Sequence, residues 1–327
     1  MINLEDYWYR KNVLSFVLLP VSWLFCLVAL VRRKFYELRN SIWPRIPAPV
    51  IVVGNLTVGG TGKSPMVIWL AHLLKANGYK PGIISRGYGG KAKKWPRMVT
   101  GKSDPELVGD EPVMIAHRTG VPLAVGPKRN KAGRMLVKKF GCNVIVSDDG
   151  LQHYAMARDI EIAMIDSKRR FGNGFCLPAG PLRESPRRLK EVDFVVVTGR
   201  AGNGEFVMGL TGDTVVNLRD PSVTQSLGAF RHQKVNAIAG IGNPQRFFDM
   251  LSANGIEVVG HPFPDHHRYT LNDVRFDDEV PLIMTEKDAV KCREFAGSNH
   301  WYLPIAAVPD RAFAKQLITR LRRLKRG

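Results

Sequence analysis

Cysteine is scarce in this chain of 327 residues. Its four cysteines (Cys26, Cys142, Cys176 and Cys292) stand far apart and form no C-x-x-C pair. That spacing argues against a zinc cluster or a disulfide framework and fits a reducing compartment. Acid is also in short supply, with 29 Asp and Glu against 48 Lys and Arg, a net charge of +19. A surface so short of carboxylates favours anionic partners, meaning phosphates, nucleic acid or an acidic membrane face. Composition does not choose among them. Internal repeats and low-complexity tracts are absent, which sets aside solenoids and disordered arrays. Long apolar runs are rare too: one stretch, residues 13–31, carries no charge at all.

As a helix that stretch would be about 28 Å long, close to the hydrocarbon thickness of a bilayer, with a kink at Pro20. Arg32, Arg33, Lys34 and Arg39 follow it, while Glu5 and Asp6 dilute the charge before it. The positive-inside rule then keeps the downstream body cytoplasmic. Tyr7, Trp8, Tyr9 and Trp43 are candidates for the lipid–water boundary. A half-inserted helix and a full crossing both fit, as does a buried core helix. A cleaved signal peptide fits poorly, because its early region should be basic.

The remaining chain is organised around residues 50–74. Four apolar β-formers, Val50, Ile51, Val52 and Val53, read as a buried strand. A glycine-rich loop, Thr57-Val58-Gly59-Gly60-Thr61-Gly62, leads into Lys63 and Ser64, and apolar residues then recur at helical spacing. Strand, glycine loop, Lys-Ser and helix is the order a P-loop requires. Its backbone N–H groups and helix dipole would hold phosphates, Lys63 would reach the β- and γ-phosphates, and Ser64 would bind Mg²⁺. Thr57 departs from the generic pattern, which has glycine there.

Further strands are expected at residues 81–85, 122–125, 144–147, 160–165 and 193–197, alternating with helices, as in an α/β fold with a mostly parallel sheet. R-G-Y-G-G-K (86–91) follows the first of them as a candidate ligand loop. Asp110 and Glu111 precede Pro112 at a helix start, where they would cap it and complement its dipole. The strand at 144–147 runs into Asp148-Asp149-Gly150, a Walker B arrangement that offers a carboxylate to Mg²⁺. Adjacent acids at a strand end are costly unless a cation sits there. The basic loop 169–188 is rich in glycine and proline and carries one notable acid, Glu184. Composition shifts at T-G-R-A-G-N-G (198–204), a candidate linker to a second α/β pattern. In that second part, Pro264-Asp265-His266-His267 lacks partners spaced for a metal but suits proton handling near neutral pH. The segment T-E-K-D-A-V-K (285–291) reads as a strand-end turn and helix cap. Residues 311–325 form a basic amphipathic helix.

These pieces in this order resemble the tetraacyldisaccharide 4'-kinase (lipid A 4'-kinase) family of Gram-negative bacteria. V-V-G-N-L-T-V-G-G-T-G-K-S-P (52–65), S-R-G-Y-G-G-K (85–91), G-D-E-P (109–112) and S-D-D-G-L-Q-H-Y (147–154) carry the resemblance. So do R-R-F-G-N-G (169–174), L-P-A-G-P-L-R-E (177–184), P-D-H-H (264–267) and T-E-K-D-A-V-K. Together they span most of the chain. The family tolerates a residue other than glycine where Thr57 stands.

The resemblance implies transfer of the γ-phosphoryl of ATP to the 4'-hydroxyl of a tetraacylated glucosamine disaccharide 1-phosphate, giving lipid IVA. It implies ATP and Mg²⁺ as cofactors. The triphosphate is expected on Thr57, Val58, Gly59, Gly60, Thr61, Gly62, Lys63 and Ser64. Metal is expected at Ser64 with Asp148 or Asp149, and near Glu184. Asp110 is implied as the general base, paired with His266, with Lys63 as a further catalytic group. The expected layout has a membrane-associated helix in 1–40, a P-loop kinase domain in 41–203 and a smaller α/β domain in 204–310. The terminal helix, 311–327, would pack back on the kinase domain. The chain would act as a monomer at the cytoplasmic face of the inner membrane, on an anionic lipid and without nucleic acid. Asp110 and His266 lie in different expected domains, so closure would complete the site.

A partitioning-type switch ATPase is the alternative reading. Such proteins carry K-G-G-x-G-K-[ST] and often a basic terminal helix, but Val58 stands where their signature lysine should be. A nucleic-acid-binding NTPase would suit the charge, yet no recognition module or aromatic stacking array is visible.

Overall fold

The computed structural model describes residues 7–38, 45–276 and 280–324. Glu5, Asp6, Arg39 and Trp43 and the chain's last three residues lie outside them. The apolar N-terminal run forms two helices, α1 (Val13–Val17) and α2 (Leu19–Leu38), parted at Leu18. Pro20 falls in the first turn of α2, where a missing N–H leaves no intrahelical bond unmade. The helix therefore continues through Arg32, Arg33 and Lys34. Among the described residues no helix is long and apolar enough to cross a membrane.

A nine-stranded sheet follows, built on β1 (Val50–Gly54), whose five residues are all buried. Parallel neighbours flank it, β5 (Val144–Ser147) on one side and β6 (Ile160–Asp166) on the other. Beyond β5 come β2 (Pro81–Ser85) and β4 (Leu123–Val125), both parallel, and the antiparallel edge strand β3 (Arg97–Val99). Strands buried on both faces read as continuous apolar runs, which is why they stood out in the sequence. One face is covered by α3 (Lys63–Ala76) and α5 (Asp110–Thr119), the latter preceded by the short α4 (Pro105–Val108). On the other face α6 (Arg129–Phe140) packs Ala132 and Leu136 against Val50, Val52 and Ile84.

On the far side of β6 lie β7 (Phe194–Thr198), β8 (Phe206–Thr211) and, antiparallel to β8, β15 (Ala306–Pro309). Residues 206–211 and 306–309, expected in the second domain, thus extend the first sheet. Met208 and Ala307 bury with Val196 in its core. The terminal helix α10 (Arg311–Leu324) lies over the same core. Its Phe313 stacks on Trp69 and meets Phe194 and Phe206 edge-on or tilted.

The second sheet occupies residues 214–303. Its centre is parallel: β12 (Glu257–Pro262), β11 (Lys234–Ala239), β13 (Leu282–Thr285) and β14 (His300–Leu303). Antiparallel β9 (Thr214–Asn217) and β10 (Thr224–Ser226) close one edge. Helices α7 (Pro244–Ala253), α8 (Leu271–Val274) and α9 (Glu286–Cys292) complete the lobe. The helices α9 and α5 pack together, and Arg118 Nη1 donates to Glu286 Oε2 at 2.9 Å across that contact.

The expectation of four separate cysteines needs correction. Cys26 of α2 and Cys176, 150 positions apart, are joined as a disulfide, while Cys142 and Cys292 are free and buried. Spacing along the chain gave no sign of this, because the pair meets only when α2 lies on the loop after β6. There Ser22 Oγ donates to Cys176 O at 2.7 Å. Trp8 belongs to the same contact, its indole N–H donating to Pro178 O at 3.0 Å, so it faces the protein body.

Candidate active site

The turn between β1 and α3 has the shape its glycines require. Gly62 caps α3 at φ +83°. A Cβ there would come 2.9 Å from Met208 Cε, the movable end of a side chain, so it is the backbone conformation that calls for glycine. Thr57 has no such requirement: its φ is not positive and it pairs with Leu182 as an isolated bridge. Its departure from the generic pattern is thereby explained. The loop's first half is braced by the chain after Cys176, with Val58 N donating to Pro181 O at 2.8 Å and Arg183 N to Leu56 O at 2.7 Å. Lys63 Nζ lies 3.1 Å from Asn55 Oδ1 and 3.6 Å from Asp149 Oδ1. It is held over the mouth of the loop.

The two acids after β5 have different environments. Asp148 is buried; Ser85 Oγ donates to its Oδ2 at 3.0 Å, and its Oδ1 has no hydrogen-bond partner. Burial, then the charges of Glu111 and Asp149, push its carboxyl up to about 7, against Lys63 and Arg129. Asp149 stands in the left-handed region at φ +44° and pairs with Arg183 at 3.1 Å. Burial works to raise it, but Lys63 and Arg183 bring it down to about 2. Ser64, at the head of α3, donates its hydroxyl to Glu111 Oε1 at 3.3 Å. Glu184 is buried one step further back. Gln152 Nε2 donates to its Oε1 at 2.7 Å and to Asn55 O at 3.0 Å, linking it to the loop.

The expected ligands Ser64, Asp148 and Asp149 are therefore gathered around Lys63, and Glu184 reaches them through Gln152. Among the described residues no three His, Cys, Asp or Glu side chains converge as a self-sufficient metal cage. Mg²⁺ does not need one: it keeps waters and shares phosphate oxygens. The free oxygen of Asp148 and the Ser64 hydroxyl are hard donors that fit it.

Asp110 opens α5 directly across from the head of α3. Its neighbour Gly109 sits at φ +92°, and a Cβ there would meet Tyr88 O at 2.6 Å. Gly109 is the N-cap of α5 and makes no side-chain cap, so Asp110 stands at the first helical position, where its Oδ1 accepts from Glu111 N at 2.9 Å. Its Oδ2 turns the other way and lies 3.0 Å from His266 Nδ1, on the second lobe. Burial acts to raise the Asp110 carboxyl, but the His266 hydrogen bond and the charges of Lys287, His266 and Lys291 hold it below its ordinary value. The same bond, working against burial, raises His266. His266 adopts φ +61°, and its ring lies 5.4 Å from that of Tyr88 in the R-G-Y-G-G-K loop. His267 does something else: it meets Asp273 at 3.3 Å and packs on Phe263 and Tyr269.

Several groups escaped the sequence reading. Glu111 looked like a dipole partner only, yet its carboxylate holds Ser64. Arg129 is buried and donates to Asp149 O at 3.0 Å. Lys287 and Lys291 approach Asp110 at 3.8 and 4.0 Å. Their spacing of four on a short helix was the one available signal, since it sets both on one face.

Residues 14–322 match the family described as Tetraacyldisaccharide-1-P 4'-kinase (LpxK). A tetraacyldisaccharide 4'-kinase of Methylobacillus flagellatus is 50% identical over 98% of this chain and 96% of its own length. One of Nitrosococcus oceani is 49% identical over 96% and 93%. Among solved structures, LpxK from Aquifex aeolicus in complex with ATP superposes with a TM-score of 0.79 at 29% identity, covering 94% of this chain and 99% of that one.

Proposed function

Since the chain belongs to the tetraacyldisaccharide-1-P 4'-kinase family, we propose that it moves the γ-phosphoryl of ATP onto the 4'-hydroxyl of a tetraacyl disaccharide 1-phosphate. The product is lipid IVA. The observation that carries the reading is the 3.0 Å contact between Asp110 and His266, one from each lobe, beside the phosphate loop.

In this reading residues 57–64 cradle the triphosphate. The N-termini of α3 and α5 both point into the space, and their partial positive charge favours phosphate. Lys63 neutralises the oxygens of the group in transit. Ser64 and the free oxygen of Asp148 would hold Mg²⁺, which would supply positive charge against the charge developing on the phosphoryl group. Asp149, paired with Arg183, keeps Lys63 in place. Asp110 accepts the proton of the acceptor hydroxyl. His266 aims the carboxylate and shares that proton. Transfer to an alcohol needs correct placement more than a strong base, so a carboxylate of low proton affinity suffices. Each chain carries both halves of this site, which supports a monomer as the working unit.

The exposed apolar faces of α1 and α2 support a place at the inner membrane's cytoplasmic face. Val17, Trp23, Leu24, Val28 and Val31 are each more than half exposed. An exposed apolar stripe of this size is an interaction surface. With Ser22, Cys26 and Arg33 turned to the body, it suits a helix lying in the lipid interface. The net charge of +19 adds attraction to an anionic lipid. A switch ATPase would leave the Asp110–His266 pair without a task. The test is incubation with γ-labelled ATP and the disaccharide 1-phosphate in mixed micelles, followed by chromatography. Label on the lipid supports the kinase. Lipid-independent ATP hydrolysis with ATP-driven dimerisation supports the alternative.

A further inference from the structure

Helix α9 brings two ammonium groups to the site that no step above employs. Lys287 Nζ and Lys291 Nζ lie 3.8 and 4.0 Å from Asp110 Oδ2. That is the same oxygen that meets His266. Neither lysine is a loose surface cation, since their side chains are 13% and 10% exposed. Lys287 donates to Asp265 Oδ1 at 2.8 Å, and Asp265 Oδ1 also accepts from His266 N at 3.0 Å. Lys287 therefore ties the histidine's own loop to the carboxylate. Lys291 is 2.9 Å from Asp288 Oδ1 and 4.8 Å above the Tyr269 ring. Among the described residues its Nζ has no aligned hydrogen-bond acceptor, the Asp288 contact being an ion pair.

Asp288 is a fixed post. It is fully buried and accepts from Gly240 N at 3.0 Å and Thr285 Oγ1 at 2.6 Å. Thr285 in turn caps α9. The lobe interface already has an ion pair of its own, Arg118 with Glu286. Two further buried ammoniums carry a desolvation cost that docking alone does not call for. Each has a nearer carboxylate, Asp265 for Lys287 and Asp288 for Lys291, and both also face the same Asp110 oxygen.

We propose that Lys287 and Lys291 are positioning residues for phosphoryl transfer: they hold the Asp110 carboxylate in register with His266, so that turnover requires the second lobe to be seated on the first. This rests on Asp110 being the base. It assigns the T-E-K-D-A-V-K segment a function: Thr285 and Asp288 fix the helix, and the two lysines act through Asp110.

The test is a double-mutant cycle read as kcat and KM on the full chain with ATP and the lipid acceptor. Lys287→Met is expected to lower kcat by about 10–100-fold, the scale of a displaced catalytic group. KM for ATP should stay within about twofold, because the phosphate loop lies on the other lobe, and Lys287→Arg should recover most of the loss. In an Asp110→Asn background the same lysine change should cost less than about twofold, since the group it acts through is gone. For Lys291, Lys291→Met is paired with Asp288→Asn, which avoids stranding a buried charge, and the same pattern is expected. Equal losses in both backgrounds would mean the lysines act structurally and would overturn the proposal. So would full turnover of Lys287→Met while Asp110→Asn is inactive. Near-normal turnover of Asp110→Asn by itself would instead remove the base assignment, and this proposal with it.

Discussion

Replacing His266 is the most informative single change. Its Nδ1 lies 3.0 Å from an Asp110 carboxylate that is only 5% exposed. A hydrogen bond to a charged group of this kind contributes about 1.5–3 kcal/mol. At a factor of ten per ~1.4 kcal/mol, His266→Ala should lower kcat by about 10–150-fold. The left-handed backbone at φ +61° already costs the wild-type histidine about 1–2 kcal/mol, so alanine adds little strain there and melting should change little on that account. His266→Asn separates two effects. Asparagine tolerates the left-handed conformation and can still donate to Asp110 from nearly the same place, but it cannot take up a proton. Its kcat should lie between those of alanine and the wild type. Steady-state transfer at saturating ATP and lipid measures kcat, and a fluorescent nucleotide titration measures ATP affinity, which should not change. A kcat for His266→Ala within twofold of wild type would refute the pairing. A fall in ATP affinity in step with kcat would also refute it, because the effect would then lie at the phosphate loop.

Two further predictions concern stability and location. Glu286 is buried at the lobe contact, and burial, resisted by Arg118 and Arg293, raises its carboxyl from 4.5 to about 7. The folded chain therefore keeps a proton that the unfolded chain has released, so stability falls as pH rises from about 4.5 to about 7, by at most ~3 kcal/mol. Glu286→Gln should flatten that slope and melt relatively higher at pH 8 than at pH 5; parallel slopes for both proteins would count against it. For the membrane face, Val28→Glu with Val31→Glu should weaken flotation with anionic vesicles by about tenfold or more, as two exposed apolar side chains that would enter the lipid are lost. Transfer to a detergent-dispersed acceptor should hold; unchanged flotation would move the lipid contact elsewhere.

The parts of this molecule legible in the sequence are those where local chemistry and final place coincide. β1, its glycine turn and α3 follow one another directly, and the loop's conformation is written in Gly62. Asp148 and Asp149 stood out because acids at the end of an apolar strand need a cation. What stayed hidden depends on pairing at a distance. β8 and β15 are short strands whose sheet is decided by Met208 and Ala307 finding the first core, about a hundred residues apart in sequence. Cys26 and Cys176 meet only after α2 docks. Glu111, Lys287 and Lys291 each had a sufficient local explanation, as dipole partner or as part of a strand-end turn and helix cap, and a local reading had no cause to look past it. Asp110 and His266 were reached through the family resemblance, since their 3.0 Å contact spans 156 positions.

In the proposed mechanism one lobe binds the nucleotide while a carboxylate at the lobe junction takes the acceptor's proton. Measuring ATP affinity and lipid phosphorylation side by side for Asp110→Ala addresses it most directly. Nucleotide binding is expected within a few-fold of wild type and transfer reduced by at least about a hundredfold, the typical contribution of a positioned base. Near-normal phosphorylation by Asp110→Ala, or loss of binding and transfer together, would contradict it.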